Sequence, residues 1–397
     1  MIKEKIIELA KKYEDYTKSV RGYLHEYPEN SGVEFETSKY LKNEARELGL
    51  EVVDAEGTGF IAILDTKRPG KTIGIRADID ALPMDEAEEN LVGKKKYVSK
   101  NLGSCHACGH DAHMAVGLTV AKIFTDLKDE LNGKIIFIFE EDEETNYGIP
   151  KMLKLLRNYH FDAIYGNHSA SFIESGKFAM EAGPRMAGTA VIDMYIKGRG
   201  GHGSRPDLSI NPIFATAQVL SGLATAWANQ IDVTKTVTLG IAQVIGGRQF
   251  NIFPDDVYVA GTLRFFDMEE GAKALEVVKN VSENIAKANL CTVEFTEKMR
   301  VSLNPVVNDE HLAKIARQSI IDVYGEESLV DGITWFASET FSKYSELCPT
   351  VFTNFGIANK EVGSGAEHHN VHFDIDEDAL LPTVTITALI NYDILNS

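Results

Sequence analysis

The sequence predicts an α/β fold: a mixed, mainly parallel sheet domain interrupted by an inserted ferredoxin-like α+β domain. Helical patterns alternate with short apolar runs from the start of the chain to about residue 185, as in parallel βαβ units. The middle of the chain instead follows the order β-α-β-β-α-β, which is typical of a split βαβ domain. We therefore predict one discontinuous domain, residues 1–186 and 301–397, and an inserted domain, residues 187–300.

Several segments of the discontinuous domain are predicted strands that end in chemically active side chains. These are "KTIGIRADID", "GKIIFIFEEDEE" and "FDAIYGNH", the last ending at His168. Between them, "DAHMAVGLTVAKIFTDL" has few polar positions and predicts a buried helix, and a last helix is expected from about Asp376. Ligands of open α/β sheets bind beyond the carboxyl ends of the strands, so we expect these strand ends to converge.

The inserted domain has a clear order of patterns. In sequence they are a strand ("TAVIDMYIKGRG"), a helix ("NPIFATAQVLSGLATAWANQ"), a strand pair ("TVTLGIAQVIGG" and "DDVYVAGTLRFFD"), a second helix ("MEEGAKALEVVKNVSENIAKAN") and a final strand ("CTVEFTEKMR"). This order predicts one sheet covered by two helices.

The charge balance restricts the kinds of partner. The chain has 40 Lys and Arg against 59 Asp and Glu, a net charge of −19, which repels nucleic acid and anionic lipid. We therefore expect a small-molecule substrate and neither a nucleic-acid nor a membrane partner. The 4 cysteines are too few for a disulfide scaffold, and the first residues lack the apolar core of a signal peptide, so a cytoplasmic location is expected.

The stretch "HACGHDAHMA" (His106–Ala115) concentrates ligand-type side chains. Gly109 follows Cys108 where c-type haem attachment requires His, and the isolated Cys291 and Cys348 do not complete a four-cysteine zinc site. A Cys105-x-x-Cys108 redox pair remains an alternative, but it leaves the histidines without a role. A catalytic metal site uses more of the stretch, and ordinary packing is the weakest interpretation because each polar group would need a partner.

Two further clusters extend this pattern. Five consecutive carboxylates, residues 140–144, repel one another when partly buried unless divalent cations offset their charge. Taken alone they also fit a solvated acidic turn. Near the end of the chain, His368, His369 and His372 lie in a predicted loop before the last helix, where one or two of them could be ligands.

An ordered series of motifs resembles the metal-dependent aminoacylase and carboxypeptidase superfamily over nearly the whole chain. The most similar branch is that of amidohydrolases such as auxin-conjugate hydrolases, hippurate hydrolases and acetyl-diaminopimelate deacetylases. The motifs are "RGYLHEYPENSGVEFETSKYL", "IRADIDALP", "HACGHDAHMA", "GRGGHGSRPDLSINPI", "NIFPDDVYVAGTLR" and "HHNVHFDIDEDAL".

This resemblance implies two divalent metal ions per subunit, Zn²⁺ or Mn²⁺ with Co²⁺ as a further candidate. The implied ligands are Cys108, His110, Glu144, His168 and His369. Glu143 is the implied general base, and His202, reaching into the partner subunit, would stabilise the oxyanion. Asn251 and Arg264 are candidates for holding the substrate carboxylate, against a turn-forming Asn and a surface ion pair. Asp80 is expected to orient a metal ligand, whereas Asp78 is interpreted as a strand-end charge.

The resemblance further implies hydrolysis of the amide bond of N-acyl amino acids or related small peptide-like substrates. The inserted domain would mediate dimerisation, giving a homodimer or homotetramer. Alternatives are a small dipeptidase or carboxypeptidase of the same superfamily, a thiol redox protein, and a non-catalytic metal-binding protein.

The chain departs from the branch pattern at several positions. Glu140, Glu141 and Asp142 stand where the branch has Gln-Pro-Ala, Thr340 replaces an aspartate and Val371 a proline. None of these changes removes an expected ligand. The extra acids would favour a cationic substrate or strengthen metal binding.

Overall fold

The computed structural model describes residues 2–397. The α-helices are α1 (Ile2–Lys12), α2 (Glu14–Glu26), α3 (Phe35–Glu47), α4 (His110–Asp126), α5 (Ile149–Leu156), α6 (Pro212–Gln230), α7 (Met268–Ala288), α8 (Glu310–Tyr324) and α9 (Leu380–Asn396). Within the described range, no helix has both the length and the apolar character needed to cross a bilayer.

The β-strands follow the predicted apolar runs and add several short segments. They are β1 (Glu51–Asp54), β2 (Phe60–Asp65), β3 (Thr72–Asp78), β4 (Lys134–Glu140), β5 (Ala163–Glu174), β6 (Phe178–Ala179), β7 (Gly183–Met186), β8 (Gly188–Lys197), β9 (Gly201–His202), β10 (Val237–Ile245), β11 (Ile252–Phe253), β12 (Asp256–Phe265), β13 (Thr292–Phe295), β14 (Val301–Leu303), β15 (Val306–Asn308) and β16 (Thr350–Ala358).

The chain forms two compact units. The first comprises Met1–Gly183, Val307–Ile333 and Lys343–Ser397, and the second comprises Pro184–Val306 and Thr334–Ser342. The return of Thr334–Ser342 to the second unit is stabilised by pairing within that unit, for example from the Ala187 N–H to the carbonyl of Trp335. The sequence-based division into one domain of residues 1–186 and 301–397 and an inserted domain of residues 187–300 remains a prediction.

The first unit is built on a mixed sheet with strand order β1-β2-β4-β3-β5-β16-β6. Its four central strands, β4, β3, β5 and β16, are parallel, whereas the outer pairings are antiparallel. The central strands read as continuous apolar runs because both faces of a parallel sheet are covered. The prediction that α4 is buried is confirmed, since nearly all of its residues are inaccessible to solvent.

The polar ends of the parallel strands lie where the sequence prediction placed them, with one correction. β3 ends at Asp78 and β4 ends at Glu140. β5, however, does not end at His168 but continues to Glu174, because its residues beyond His168 still pair with β16, Ser169 opposite Phe355. His168 therefore lies inside a strand, which fixes its position more firmly than a loop would.

The second unit contains the sequence β8-α6-β10-β12-α7-β13. Its antiparallel sheet has the strand order β10-β12-β8-β13, with β14 also pairing with β8. Alternating buried positions along β8 and β12, such as Ile192, Met194 and Val259, form a core with residues of α6 and α7. β10 lies at one edge of this sheet.

Candidate metal centre

The expected ligands of the first unit converge on one place although they are far apart in sequence. Cys108 precedes α4, and its Sγ lies 3.6 Å from His168 Nε2 in β5. Glu144, in the turn after β4, has its Oε1 3.8 Å from His110 Nε2 and 3.3 Å from His369 Nε2. One thiol, one carboxylate and several imidazoles therefore surround a common space.

Gly109 creates the turn that brings Cys108 and His110 to the same side. Its φ is +84°, a left-handed conformation that glycine adopts at little cost. A Cβ at this position would collide with the hydroxyl of Ser169. Any other residue would therefore displace either the turn or the strand that carries His168.

Asp80 contacts His110 through its backbone and its side chain. His110 Nδ1 lies 3.0 Å from the carbonyl oxygen of Asp80 and 3.2 Å from Asp80 Oδ1. Because a carbonyl oxygen can only accept, Nδ1 carries a proton, and Nε2 is the ring nitrogen left to face the cluster. The other Asp80 oxygen accepts from Ser31 Oγ and from the backbone N–H of Glu144.

The electrostatics of the cluster show an excess of negative charge. Burial raises the pKa of the Cys108 thiol well above its usual range, and the carboxylates of Glu144, Glu143 and Asp78 raise it further. Burial lowers the pKa of His110, but the surrounding carboxylates outweigh burial and raise that pKa to about 10. In the absence of added cations, this imidazole is thus the group that carries compensating positive charge.

The residues present fit divalent cations. His110 Nε2 and Glu144 Oε1 are buried atoms without a hydrogen-bond partner, which is rare unless another group completes them. Ligand atoms of Cys108, His110 and Glu144 lie within 4.8 Å of one another, as do those of a second set, Asp78, His110, His113 and His168. Thiolate, imidazole and carboxylate together favour Zn²⁺ and tolerate Mn²⁺ or Co²⁺.

Glu143, the expected general base, lies beside this cluster. Its side chain is buried in the turn after β4, and its charge is one of those that raise the pKa of the Cys108 thiol. The preceding residue, Asp142, has a φ of +54°, and its N–H donates to the carboxylate of Glu34. A strained residue held by a buried acid thus begins the turn that presents Glu143 and Glu144.

The extra acids that depart from the branch pattern have partners inside the first unit. Glu140 accepts hydrogen bonds from Arg76 Nε at 2.7 Å and from the hydroxyl of Tyr344 at 2.8 Å. Glu141 accepts from the Thr58 hydroxyl and pairs with Lys151 at 2.9 Å. These contacts give the two glutamates structural roles and weaken the expectation that they select a cationic substrate.

The expected substrate residues His202, Asn251 and Arg264 all belong to the second unit. His202 is exposed in β9, opposite Ile252 of β11, and its Nδ1 accepts from the N–H of Ser204. The carbonyl oxygen of Asn251 accepts from the N–H of Gly203. Arg264, in β12, donates to the Ser338 hydroxyl at 2.9 Å, so it is not the surface ion pair considered as its alternative.

The neighbouring histidines near the C-terminus have different contacts. His368 is half-buried, with Nε2 3.0 Å from the carbonyl oxygen of Ser169 and Nδ1 3.2 Å from the Ser171 hydroxyl. His369 has a φ of +59° and faces Glu144 instead. His372 is exposed and contacts the carbonyl oxygen of Glu89.

Sequence reasoning missed the buried groups behind the cluster. Asp78, interpreted as a strand-end charge, is completely buried between Arg76 and His113, with contacts of 2.8 and 2.6 Å. On the other side of α4, Asp111 is equally buried against Arg21 and His25. The apolar surroundings of Arg76 in "TIGIRAD" were the available signal, because a charge inside a buried strand requires a partner.

Comparison with known proteins identifies the family. The sequence profile described as Peptidase family M20/M25/M40 matches residues 74–391. The chain belongs to this family. The predicted resemblance is therefore confirmed, as is the prediction of a metal-dependent amidohydrolase.

Relatives of this M20/M25/M40 chain include enzymes with different names. Thermostable carboxypeptidase 1 of Saccharolobus solfataricus is 32% identical over 385 residues, covering 95% of each chain. N-acetylcysteine deacetylase of Bacillus subtilis is 34% identical over 372 residues, covering 91% of this chain and 92% of the relative. A crystal structure of a Bacillus subtilis dinuclear metal-binding peptidase from the M20 family is 29% identical, covers 97% of this chain and 99% of that chain, and has a TM-score of 0.84. The α/β class with a mixed, mainly parallel sheet is thereby confirmed.

The thiol chemistry of this M20/M25/M40 chain argues against the redox alternative. All of its cysteines are free, and Cys105 is completely buried. Burial raises the pKa of Cys105 to about 12, with a further contribution from Glu86. Thiol exchange needs an accessible thiolate, which neither Cys105 nor Cys108 offers.

Proposed function

We propose that the chain is a binuclear-metal amidohydrolase that hydrolyses the amide bond of N-acyl amino acids. The observation that supports this function best is the convergence of Cys108, His110, Glu144, His168 and His369 beside a buried glutamate, Glu143. A thiol, a carboxylate and histidines brought together at the parallel sheet are suited to holding paired divalent cations.

The five converging side chains would hold two ions, with Zn²⁺, Mn²⁺ and Co²⁺ as candidates. When bound, such ions polarise an amide carbonyl and make water more acidic. Glu143 takes the proton from the attacking water and delivers it to the leaving amine. Asp80 keeps Nε2 of His110 directed into the site by accepting the proton of Nδ1.

The residues of the second unit supply substrate recognition in this proposal. His202 donates to the developing oxyanion from the partner subunit, and Asn251 and Arg264 hold the substrate carboxylate. Arg264 is partly buried, and burial lowers its pKa while leaving a planar fork for a carboxylate. The partnered state of Glu140 and Glu141 supports an ordinary N-acyl amino acid over a cationic substrate.

The second unit is also proposed to be a ferredoxin-like satellite domain that forms the dimer. Neither α6 nor β10 contains a charged residue, although 25% of the chain is charged. β10 is a sheet edge with exposed Val244 and Ile245, and uncovered apolar edges of this kind favour pairing with another chain. A homodimer joined through α6 and β10 buries this uncharged face; a homotetramer and a cytoplasmic location remain predictions.

A dipeptidase or carboxypeptidase is the second candidate function, because the same site chemistry cleaves peptide bonds and a relative is named as a carboxypeptidase. The deciding experiment profiles an N-acyl amino acid library and a dipeptide library with Zn²⁺, Mn²⁺ or Co²⁺ added in turn. Preferred hydrolysis of acyl substrates supports the proposal, and preference for dipeptides supports the second candidate. Absence of hydrolysis in a protein that binds both ions would point to a non-catalytic metal protein.

A further inference from the structure

His113 is buried beside the ligand-type side chains of Asp78, His110 and His168, but both of its ring nitrogens already have partners. Its Nε2 lies 2.9 Å from the backbone N of Ser169, and its Nδ1 lies 2.6 Å from Asp78 Oδ1. A backbone N–H can only donate, so Nε2 accepts and the ring proton lies on Nδ1, from which it is donated to Asp78. The tautomer of His113 thus follows from geometry alone.

The Ser169 peptide connects His113 with His168. The carbonyl oxygen of Ser169 accepts from Nδ1 of His168 at 2.8 Å, which leaves Nε2 of His168 as the nitrogen that faces Cys108 Sγ. The Ser169 hydroxyl donates to the carbonyl oxygen of Cys108 at 3.1 Å. One residue therefore contacts both sides of the proposed metal site.

The far end of this chain of contacts is anchored in the sheet. Asp78 Oδ2 pairs with Arg76 Nη1 at 2.8 Å, and both side chains are fully excluded from solvent. Arg76 also donates to Glu140 at the end of the neighbouring strand β4. A buried, fully paired network of this kind holds its members in one arrangement.

We propose that His113 is a positioning residue that holds the Ser169 peptide, and through it the ligand nitrogen of His168, and that it does not itself bind metal. This inference rests on the proposed metal pair, but it concerns a residue outside the proposed ligand set. Ligation by His113 would take the buried partner either from the Ser169 N–H or from Oδ1 of Asp78, at considerable cost. His113 therefore lies among ligand-type side chains because it holds His168 in place.

Two substitutions separate the two hydrogen bonds of the ring. His113→Gln places an amide oxygen near the position of Nε2 and keeps an acceptor for Ser169 N–H. His113→Asn places an amide nitrogen near the position of Nδ1. It keeps the donor to Asp78 but leaves the Ser169 N–H without an acceptor. His160→Gln, at an exposed histidine, is the matched control.

The readouts are metal stoichiometry, affinity by competition with a chromophoric chelator, and the thiolate-to-cobalt absorption band of the Co²⁺-loaded protein. We expect both variants to bind two ions at saturation and to keep the band. His113→Asn should bind about 10–100-fold more weakly than wild type, as when other groups that orient ligands are lost. His113→Gln should stay within a few-fold of wild type, and the control should not change.

Equal weakening by both substitutions, or no weakening by either, overturns the assignment. A variant that saturates with one ion fewer than wild type would identify His113 as a ligand instead.

Wild-type protein labelled with ¹⁵N-histidine and loaded with ¹¹³Cd²⁺ provides a test that does not depend on the variants folding. Scalar coupling to cadmium should appear for His168 and be absent for His113, and coupling at His113 refutes the proposal. Failure of the wild type to bind two ions would refute the proposed function itself.

Discussion

Asp80 contacts His110 twice, since His110 Nδ1 lies 3.0 Å from its carbonyl oxygen and 3.2 Å from its carboxylate. The same carboxylate accepts the N–H of Glu144, so one buried acid contacts two of the proposed ligands. Asp80→Asn replaces one carboxylate oxygen with an amide NH₂ group. This group can only donate, so it would face either the proton on His110 Nδ1 or the N–H of Glu144 without forming a hydrogen bond. We expect metal affinity to fall about 10–100-fold. Competition with a chelator measures this, with the exposed Asp54→Asn as control; an unchanged affinity would contradict the role of Asp80.

Glu143 is tested by separating metal binding from turnover. Glu143→Gln keeps the size of the side chain but removes the base, so kcat should fall about 10²–10⁴-fold. The metal content should stay equal to that of wild type because Glu143 is outside the proposed ligand set. Elemental analysis and initial rates on an N-acyl amino acid measure the two quantities. Near-normal turnover in this variant would show that another group acts as base.

The two neighbouring cysteines are expected to differ sharply. Cys108→Ala removes a proposed ligand and should lower both metal content and hydrolysis severely. Cys105→Ala removes a buried thiol that faces no proposed ligand, and it should reduce stability modestly while hydrolysis is retained. Measuring both variants side by side distinguishes the amidohydrolase from a redox protein, in which either substitution would abolish function.

Buried His25 predicts a pH dependence of stability. Burial and Arg21 act to lower its pKa, but Asp111 and Glu86, at 2.8 and 2.9 Å, raise it above the usual 6.5. A group whose pKa is raised on folding gives its full stabilisation below the unfolded value and loses it as pH rises through the folded value. Above about pH 6.5, the free energy of unfolding should therefore fall by up to about 1.4 kcal/mol per pH unit from this group.

Urea titrations of metal-free wild type and His25→Gln at several pH values measure this contribution. The difference in unfolding free energy between the two proteins should shrink as pH rises. A constant difference would show that His25 has the same pKa in the folded and unfolded chains.

The uncharged face of the second unit predicts the effect of an edge substitution. Val244→Lys places a charge on the exposed edge strand β10 and should convert the proposed dimer to monomer. Val233→Lys is a suitable control, because Val233 is 88% exposed outside α6 and β10. Sedimentation analysis of both variants provides the measurement. A dimer that persists in Val244→Lys would place the interface elsewhere.

Much of the candidate site was predictable because its ligand-type residues are concentrated in short motifs. The order of strands and helices could likewise be inferred, since the periodicity of apolar residues is a local property. The extension of β5 to Glu174 was missed because pairing with β16 depends on a segment almost two hundred residues away in sequence. The second-unit contacts of Thr334–Ser342 were missed for the same reason.

The sequence by itself determined which chemical groups are available: a thiol, carboxylates and imidazoles concentrated in short motifs, with a glycine between Cys108 and His110. Only the tertiary structure decided how each group is used. Asp78 and His113 face one another because strand β3 and helix α4 pack together, and Glu140 is neutralised by an arginine on the adjacent strand. Hydrogen bonds and charges act over a few ångströms in space, whereas sequence patterns report only neighbours along the chain.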